Sequence, residues 1–224
     1  MFILLHHLVF ANSDVVHLEK RLSTIFPQDL SQQHISLCQV TKSSCLEFTM
    51  WQEYSNEKGR QLIEIQRPEK WKGVRLLHID HPEREDPFWL YLPALQKVKQ
   101  ISGKRTPLGL DISKLEIHLT GEEHVEWSNE QHCSLQRISK ENQVEELDLY
   151  FDDTQLTKIT SSLGFEGHFK EYKNIGSYFI PHYIQFYENQ SLQFEIRIHS
   201  FSLLVKEEEP AYLNMETFKK LGLK

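Results

Sequence analysis

Phe88-Trp89-Leu90-Tyr91-Leu92-Pro93-Ala94-Leu95-Gln96-Lys97-Val98-Lys99-Gln100-Ile101-Ser102 is the stretch whose reading decides the fold. It opens as a dense aromatic and aliphatic run. A Pro-Ala step interrupts it. It then resumes with Lys97 and Lys99 on one face and Val98 on the other. Proline has no N–H to give a ladder, so Pro93 belongs at an edge, a bulge or a bend. The stretch reads as a bent strand pair in an antiparallel sheet.

The same two-residue period extends outward from it. Leu46, Phe48 and Met50 alternate with Glu47 and Thr49. The Asn56-Glu57-Lys58-Gly59 group reads as a turn, and Gln61–Gln66 returns with Ile63 and Ile65 on one face, a hairpin pattern. Toward the C-terminus, Leu192, Phe194, Ile196 and Ile198 alternate with Gln193, Glu195, Arg197 and His199. About ten short strands follow in this way, joined mostly by hairpin-length turns. Helical spacing occurs at the two ends. Over Asp14–Phe26, Val15, Leu18, Leu22 and Ile25 recur at three- and four-residue steps, Ser13 or Asp14 can cap, and Pro27 stops the helix. Asn214–Leu221 reads as a short closing helix with Asn214 as cap and Gly222 just past its end. No repeat or low-complexity linker divides the chain.

Composition narrows the partners. The chain has 224 residues, enough for one domain, and a formal net charge of -7. It has no basic block, which argues against nucleic acid. The apolar run Phe2–Phe10 followed by Val9-Phe10-Ala11 reads as an export signal over residues 1–11, leaving residues 12–224 as a single domain. Nothing after it approaches the roughly 18 apolar residues of a membrane helix. The cysteines are Cys38, Cys45 and Cys133, an odd number that leaves at least one thiol unpaired in a monomer. If Cys38 and Cys45 share a strand, they point to opposite faces and cannot bridge.

Catalytic and metal chemistry find little support. The chain has no Gly-x-Ser-x-Gly elbow, no Gly-rich phosphate loop and no His-Glu-x-x-His. His78-Ile79-Asp80-His81 is the tightest histidine cluster, and a metal needs three or four converging ligands, so it reads as a polar turn. Glu122-Glu123 and Asp152-Asp153 are adjacent in sequence and read as solvated turns rather than an acid–base pair. The expectation is no enzyme, no metal and no cofactor. Binding is the better reading: one helix has too narrow an apolar stripe to cover a whole sheet face, so a second layer fills the interior or a cavity remains. On pattern alone, a filled core is the commoner outcome.

Trp89, Tyr91, Pro93, Leu95, Lys97, Val98, Ile101 and Ser102 fit a W-x-Y-x-P-x-L-x-K-V-x-x-I-S pattern, and in this the chain resembles the LolA-like outer membrane lipoprotein-sorting proteins. The Thr120-Gly121-Glu122-Glu123 turn, the Ile180-Pro181 step within Tyr178–Phe201, and the closing Leu213–Leu221 segment are also similar to that family. The resemblance implies a mainly β fold, a curved antiparallel half-barrel with the N-terminal helix and the short C-terminal helix packed on its concave face. It implies a periplasmic carrier, exported with a cleaved signal peptide, that takes acyl chains of lipoproteins or lipids into an apolar cavity and serves outer membrane lipoprotein sorting. The expected lining is Phe48, Met50, Ile63, Ile65, Trp89, Tyr91, Phe186, Phe194 and Ile196. The partners are acyl chains or lipids, the state a monomer. A second expectation is a non-enzymatic accessory subunit of an inner-membrane pump of the resistance-nodulation-division type. The chain departs from the family pattern at Arg105–Ile112, where Leu108-Gly109-x-Asp111 keeps only part of a segment expected at the cavity mouth.

Overall fold

Two-residue alternation runs through most of the chain, and it builds strands wherever one face is apolar. The computed structural model describes residues 2–5, 13–27, 29–55, 58–79, 88–101, 116–119, 124–138 and 144–222. The elements in order are β1 (Phe2–Leu5), α1 (Ser13–Ser23), β2 (Ser31–Gln39), β3 (Ser44–Ser55), β4 (Lys58–Arg67), β5 (Arg75–Ile79), β6 (Phe88–Leu92) and β7 (Lys97–Ile101). They continue with β8 (Glu116–Leu119), β9 (His124–Asn129), β10 (His132–Ile138), β11 (Val144–Asp152), β12 (Gln155–Ser161), β13 (Phe165–Ile175), β14 (Tyr178–Glu188), β15 (Ser191–Leu203) and α2 (Met215–Lys220).

Thirteen of the strands form one antiparallel sheet, in the order β7-β6-β5-β4-β3-β2-β15-β14-β13-β12-β11-β10-β9. Two meanders, β2–β7 and β9–β15, are joined where β15 pairs with β2. The sheet is curved and does not close into a barrel, a half-barrel with two helices as the sequence led us to expect. β1 and β8 form a separate parallel pair. Residues 2–5, expected to lie in the leader, are therefore a strand here, and the rest of the expected leader lies outside the described residues. No helix among the described residues is long and apolar enough to cross a membrane.

The opening stretch is a hairpin at the sheet edge. β6 ends at Leu92, a 3-10 turn spans Pro93–Leu95, and Gln96 takes a left-handed φ of 48°. β7 then returns beside β6 with Leu92 opposite Lys97 and Tyr91 opposite Val98. Pro93 sits in the turn, where its missing N–H breaks no ladder bond.

α1 buries Val15, Leu18 and Leu22 on one sheet face, and Ile25 follows just past its end. Each such side chain contributes about 1.5–3 kcal/mol by leaving water. Polar contacts fix where the helix sits. Arg21 donates to the carbonyl oxygens of Glu130 (2.7 Å) and Asp153 (3.1 Å), in the β9–β10 and β11–β12 turns. Trp127 Nε1 donates to the Asp14 carbonyl at 3.2 Å. α1 is thus pinned over the β9–β12 half of its face.

α2 differs from the expectation of a seat beside α1. Asn214 caps it, its Oδ1 accepting from the Glu216 and Thr217 N–H groups at 2.9 and 3.3 Å. Its buried Phe218 joins Leu213, Leu62 and Leu77. In β4 and β5, Leu62 and Leu77 alternate with Ile63 and Leu76, so the α2 cluster lies on the opposite face from Met50 and Ile63. The physical reason is that both faces of the sheet are apolar at this end: Leu76, Leu77, His78 and Ile79 are all buried in β5.

The cysteines also differ from the one-strand case. Cys38 is the next-to-last residue of β2 and Cys45 the second of β3, with a tight Val40–Lys42 turn and a left-handed Ser43 between the strands. The hairpin register sets the two directly opposite, and they form a disulfide. Two residues directly opposed on neighbouring strands share a face whatever their parity in sequence.

Candidate functional site

The apolar face beneath α1 is the candidate site. Its alternating positions come from nearly every strand of the large sheet: Ile35 and Leu37 of β2, Phe48 and Met50 of β3, Ile196 and Ile198 of β15, Ile184 and Phe186 of β14, Leu149 of β11 and Leu135 of β10. Small rows stack these side chains across the strands, with Phe48 opposite Ile35, Ile196 opposite Leu37, and Phe186 opposite Phe194.

The nine expected lining residues fall into three groups. Phe48, Met50, Phe186 and Ile196 are buried in the α1-face cluster, and Ile63 and Phe194 pack half-buried against it. Ile65 belongs to a smaller cluster with Val74 and Leu90. It is two residues beyond Ile63 on β4 and so shares its face. Trp89 and Tyr91 go elsewhere. They pack on the reverse face in the cluster of Leu62, Leu77 and Phe218, and the Lys219 ammonium lies 4.4 Å from the Trp89 ring centroid. The structure therefore does not bring Trp89 and Tyr91 together with the other seven. Ile35, Leu37 and Ile198 were not singled out from sequence, although Ile35 and Leu37 flank Ser36 in the same alternation.

Cover is uneven across this face. Under α1, Leu135, Leu149, Leu156 and Ile159 are 0% exposed. Across β2, β3, β4 and β15, Phe48 is 9%, Ile65 5%, Ile196 7% and Ile198 8% exposed, and Ile63 and Phe194 are half-buried. The second half is the thinly covered one, and it holds five of the expected lining residues. Met50 and Phe186, at 1%, are sealed.

The polar groups on the face suit packing rather than bond-making chemistry. His182 is buried, and its Nδ1 donates to the Ile198 carbonyl at 2.6 Å. Burial lowers its pKa, which keeps the ring neutral at pH 7. Tyr172 donates to the Leu156 carbonyl at 2.5 Å, and burial pushes its hydroxyl well above the usual tyrosine range. Burial pushes the Cys133 thiol up to about 12, against a small lowering by Arg21, so it stays protonated and unreactive. His78 is buried and stacks on Phe88 with ring centroids 4.2 Å apart. Asp80 and His81 of the histidine cluster lie outside the described residues, as do Glu122-Glu123 and the Arg105–Ile112 segment. Asp152 and Asp153 stand at the β11–β12 turn as expected. Among the described residues no group of three or more His, Cys, Asp or Glu side chains is placed to hold a metal.

Comparisons with known proteins place this geometry. A family model described only as an uncharacterized protein matches residues 57–142. No curated protein matches the sequence. Solved structures do match in fold. A putative outer membrane lipoprotein-sorting protein domain from Vibrio parahaemolyticus superposes with a TM-score of 0.74 at 18% identity, over 92% of this chain and 98% of that one. A DUF1329 family protein from Desulfovibrio piger gives 0.70 at 16% identity, over 90% and 94%. A LolA superfamily protein from Nitrosomonas europaea gives 0.64 at 15%, over 92% and 99%. The resemblance drawn from Trp89–Ser102 thus holds at the level of the fold across nearly the whole chain.

Proposed function

We propose that this protein is a periplasmic carrier that takes acyl chains of lipoproteins or lipids onto the α1 face and serves outer membrane lipoprotein sorting. The observation that carries this reading is the uneven cover of that face. The apolar positions over β2, β3, β4 and β15 lie beyond the part sealed by α1 and keep slightly more of their surface in water, with Ile63 and Phe194 half-buried. An acyl chain laid against Phe48, Ile63, Ile65, Phe194 and Ile196 would bury its methylenes there at about 0.8 kcal/mol each. Trp89 and Tyr91 take no part, since they face the other way. The fold shared with a lipoprotein-sorting domain and a LolA superfamily protein supports the same reading.

Export is part of the proposal. The Cys38–Cys45 disulfide suits an oxidising compartment such as the periplasm. The carrier works by binding and release, without catalysis.

The test is titration of the purified protein with a fluorescent acyl probe. Saturable binding is expected, weakened about tenfold or more in Ile63→Asn and Phe194→Asn, since each removes apolar contact from the ligand. A wild-type protein that neither saturates with the probe nor carries lipid by mass spectrometry would sink the proposal.

A further inference from the structure

One edge of the α1 face carries a row of buried polar side chains that an all-apolar acyl site does not need. The register runs Leu203, Ser31, Gln52, Gln61, His78, Phe88 across β15, β2, β3, β4, β5 and β6. The next row on the same face is apolar on the last four of these strands: Met50, Ile63, Leu76 and Leu90. Ser31 is fully buried, and Gln52, Gln61 and His78 are each more than nine-tenths buried. At the β15 end, Leu203 is 39% exposed, so the row reaches solvent there.

Ser31 Oγ and Gln52 Oε1 stand out in the row. Ser31 and Gln52 are directly opposed across β2 and β3, yet among the described residues neither Ser31 Oγ nor Gln52 Oε1 has a hydrogen-bond partner. Buried polar atoms are nearly always paired, and leaving two neighbours unpaired is costly. Their chemistry defines the missing partner. Gln52 Oε1 only accepts, so it needs an N–H or O–H. Ser31 Oγ can donate its proton to a carbonyl. The row holds no Lys or Arg, so a carboxylate or phosphate would be buried there without a permanent positive charge beside it, which is disfavoured.

We propose that this row reads a secondary amide at the head of an acyl chain. The amide N–H meets Gln52 Oε1, its carbonyl meets Ser31 Oγ, and the tail runs onto Ile63 in the next row. This rests on the carrier reading and adds the class of linkage that the carrier selects.

The test uses three competitors of one chain length, N-methyl dodecanamide, methyl dodecanoate and dodecanoate, against the fluorescent acyl probe. The amide should displace the probe about tenfold better than the ester, the order of one to two neutral hydrogen bonds, and dodecanoate should be weakest. In Gln52→Leu, which removes the acceptor of the N–H, the amide-to-ester ratio should fall to about twofold or less, whereas in Ser31→Ala, which deletes a single oxygen, amide and ester should weaken together. The infrared carbonyl band of isotopically labelled amide should shift on binding to the wild type and shift less in Ser31→Ala. A merely structural role for Ser31 would not move that band. An amide no better than the ester, or a ratio unchanged in Gln52→Leu, overturns this inference and leaves the carrier reading standing. A wild type that binds no probe at all overturns both.

Discussion

The two halves of the α1 face share one sheet and one apolar alternation, but different devices hold them. Over β9–β12 the device is a helix. Val15, Leu18 and Leu22 seal the strands, and Arg21 ties the helix to two turns while lying 5.2 Å from the Trp127 ring centroid and 5.1 Å from that of Phe151. Over β2–β5 the devices sit off the face. The Cys38–Cys45 disulfide staples the β2–β3 turn, and a C-terminal strap ending in α2 braces the reverse side through Leu213 and Phe218. A half held from behind can keep its front thinly covered. That difference gives a binding reading its physical basis, because stability and access are supplied by different residues.

The contrast is broken most directly at the helix. Leu22→Ala removes a side chain that is 0% exposed and is expected to cost about 2–5 kcal/mol in urea unfolding. Ile63→Ala, on the thinly covered half, should cost clearly less, because part of its surface is already in water. Equal losses would mean that the two halves are packed alike. Next in size is the staple. Replacing both Cys38 and Cys45 by serine opens a loop closed over a separation of seven residues. Chain entropy puts the cost at about 2–3 kcal/mol. Amide exchange should then quicken in β2 and β3 and stay unchanged in β9–β12. A uniform increase would show that the staple serves the whole sheet.

How far sequence reading reached follows the same division. Alternation marked β3, β4 and β15 because one face of each is polar. The α1 stripe was legible from Val15, Leu18, Leu22 and Ile25 for the corresponding helical reason. Reading failed where both faces are apolar. In β5 and β6 an apolar neighbour stands on each side, so Trp89 and Tyr91 carried no mark of their face, and only pairing with Leu77 and Arg75 assigns it. The disulfide was missed because a polar run, Thr41-Lys42-Ser43-Ser44, was not read as a turn between two strands. The Ser31, Gln52 and Gln61 row had no local signal at all. Its members are far apart in sequence, and only the register lines them up.

The smallest expected effect concerns the strap. Arg60 of β4 pairs with Glu53 of β3 and, at 2.7 Å, with Glu209 of the strap, while Lys206 also pairs with Glu209. Burial alone would raise the Glu209 carboxyl. The hydrogen bonds and charges of Lys206 and Arg60 outweigh it together and hold the carboxyl below its ordinary 4.5. The sign follows from that direction. The folded state binds the Glu209 proton less readily than the unfolded chain, so the stabilisation is fully present above pH 4.5 and is lost as pH falls below it through the folded value. Because Lys206 is largely exposed, screening limits the contribution to about 1 kcal/mol. Glu209→Gln should therefore lower urea stability slightly at pH 7 and flatten its decline below pH 4.5, with α2 and β4 the first elements to loosen. The β9–β12 half, which the strap does not touch, should show no change in exchange over the same pH range. A wild-type acid decline unaltered by Glu209→Gln would assign the acid sensitivity to other carboxylates and leave the reverse face held by Leu213 and Phe218 alone.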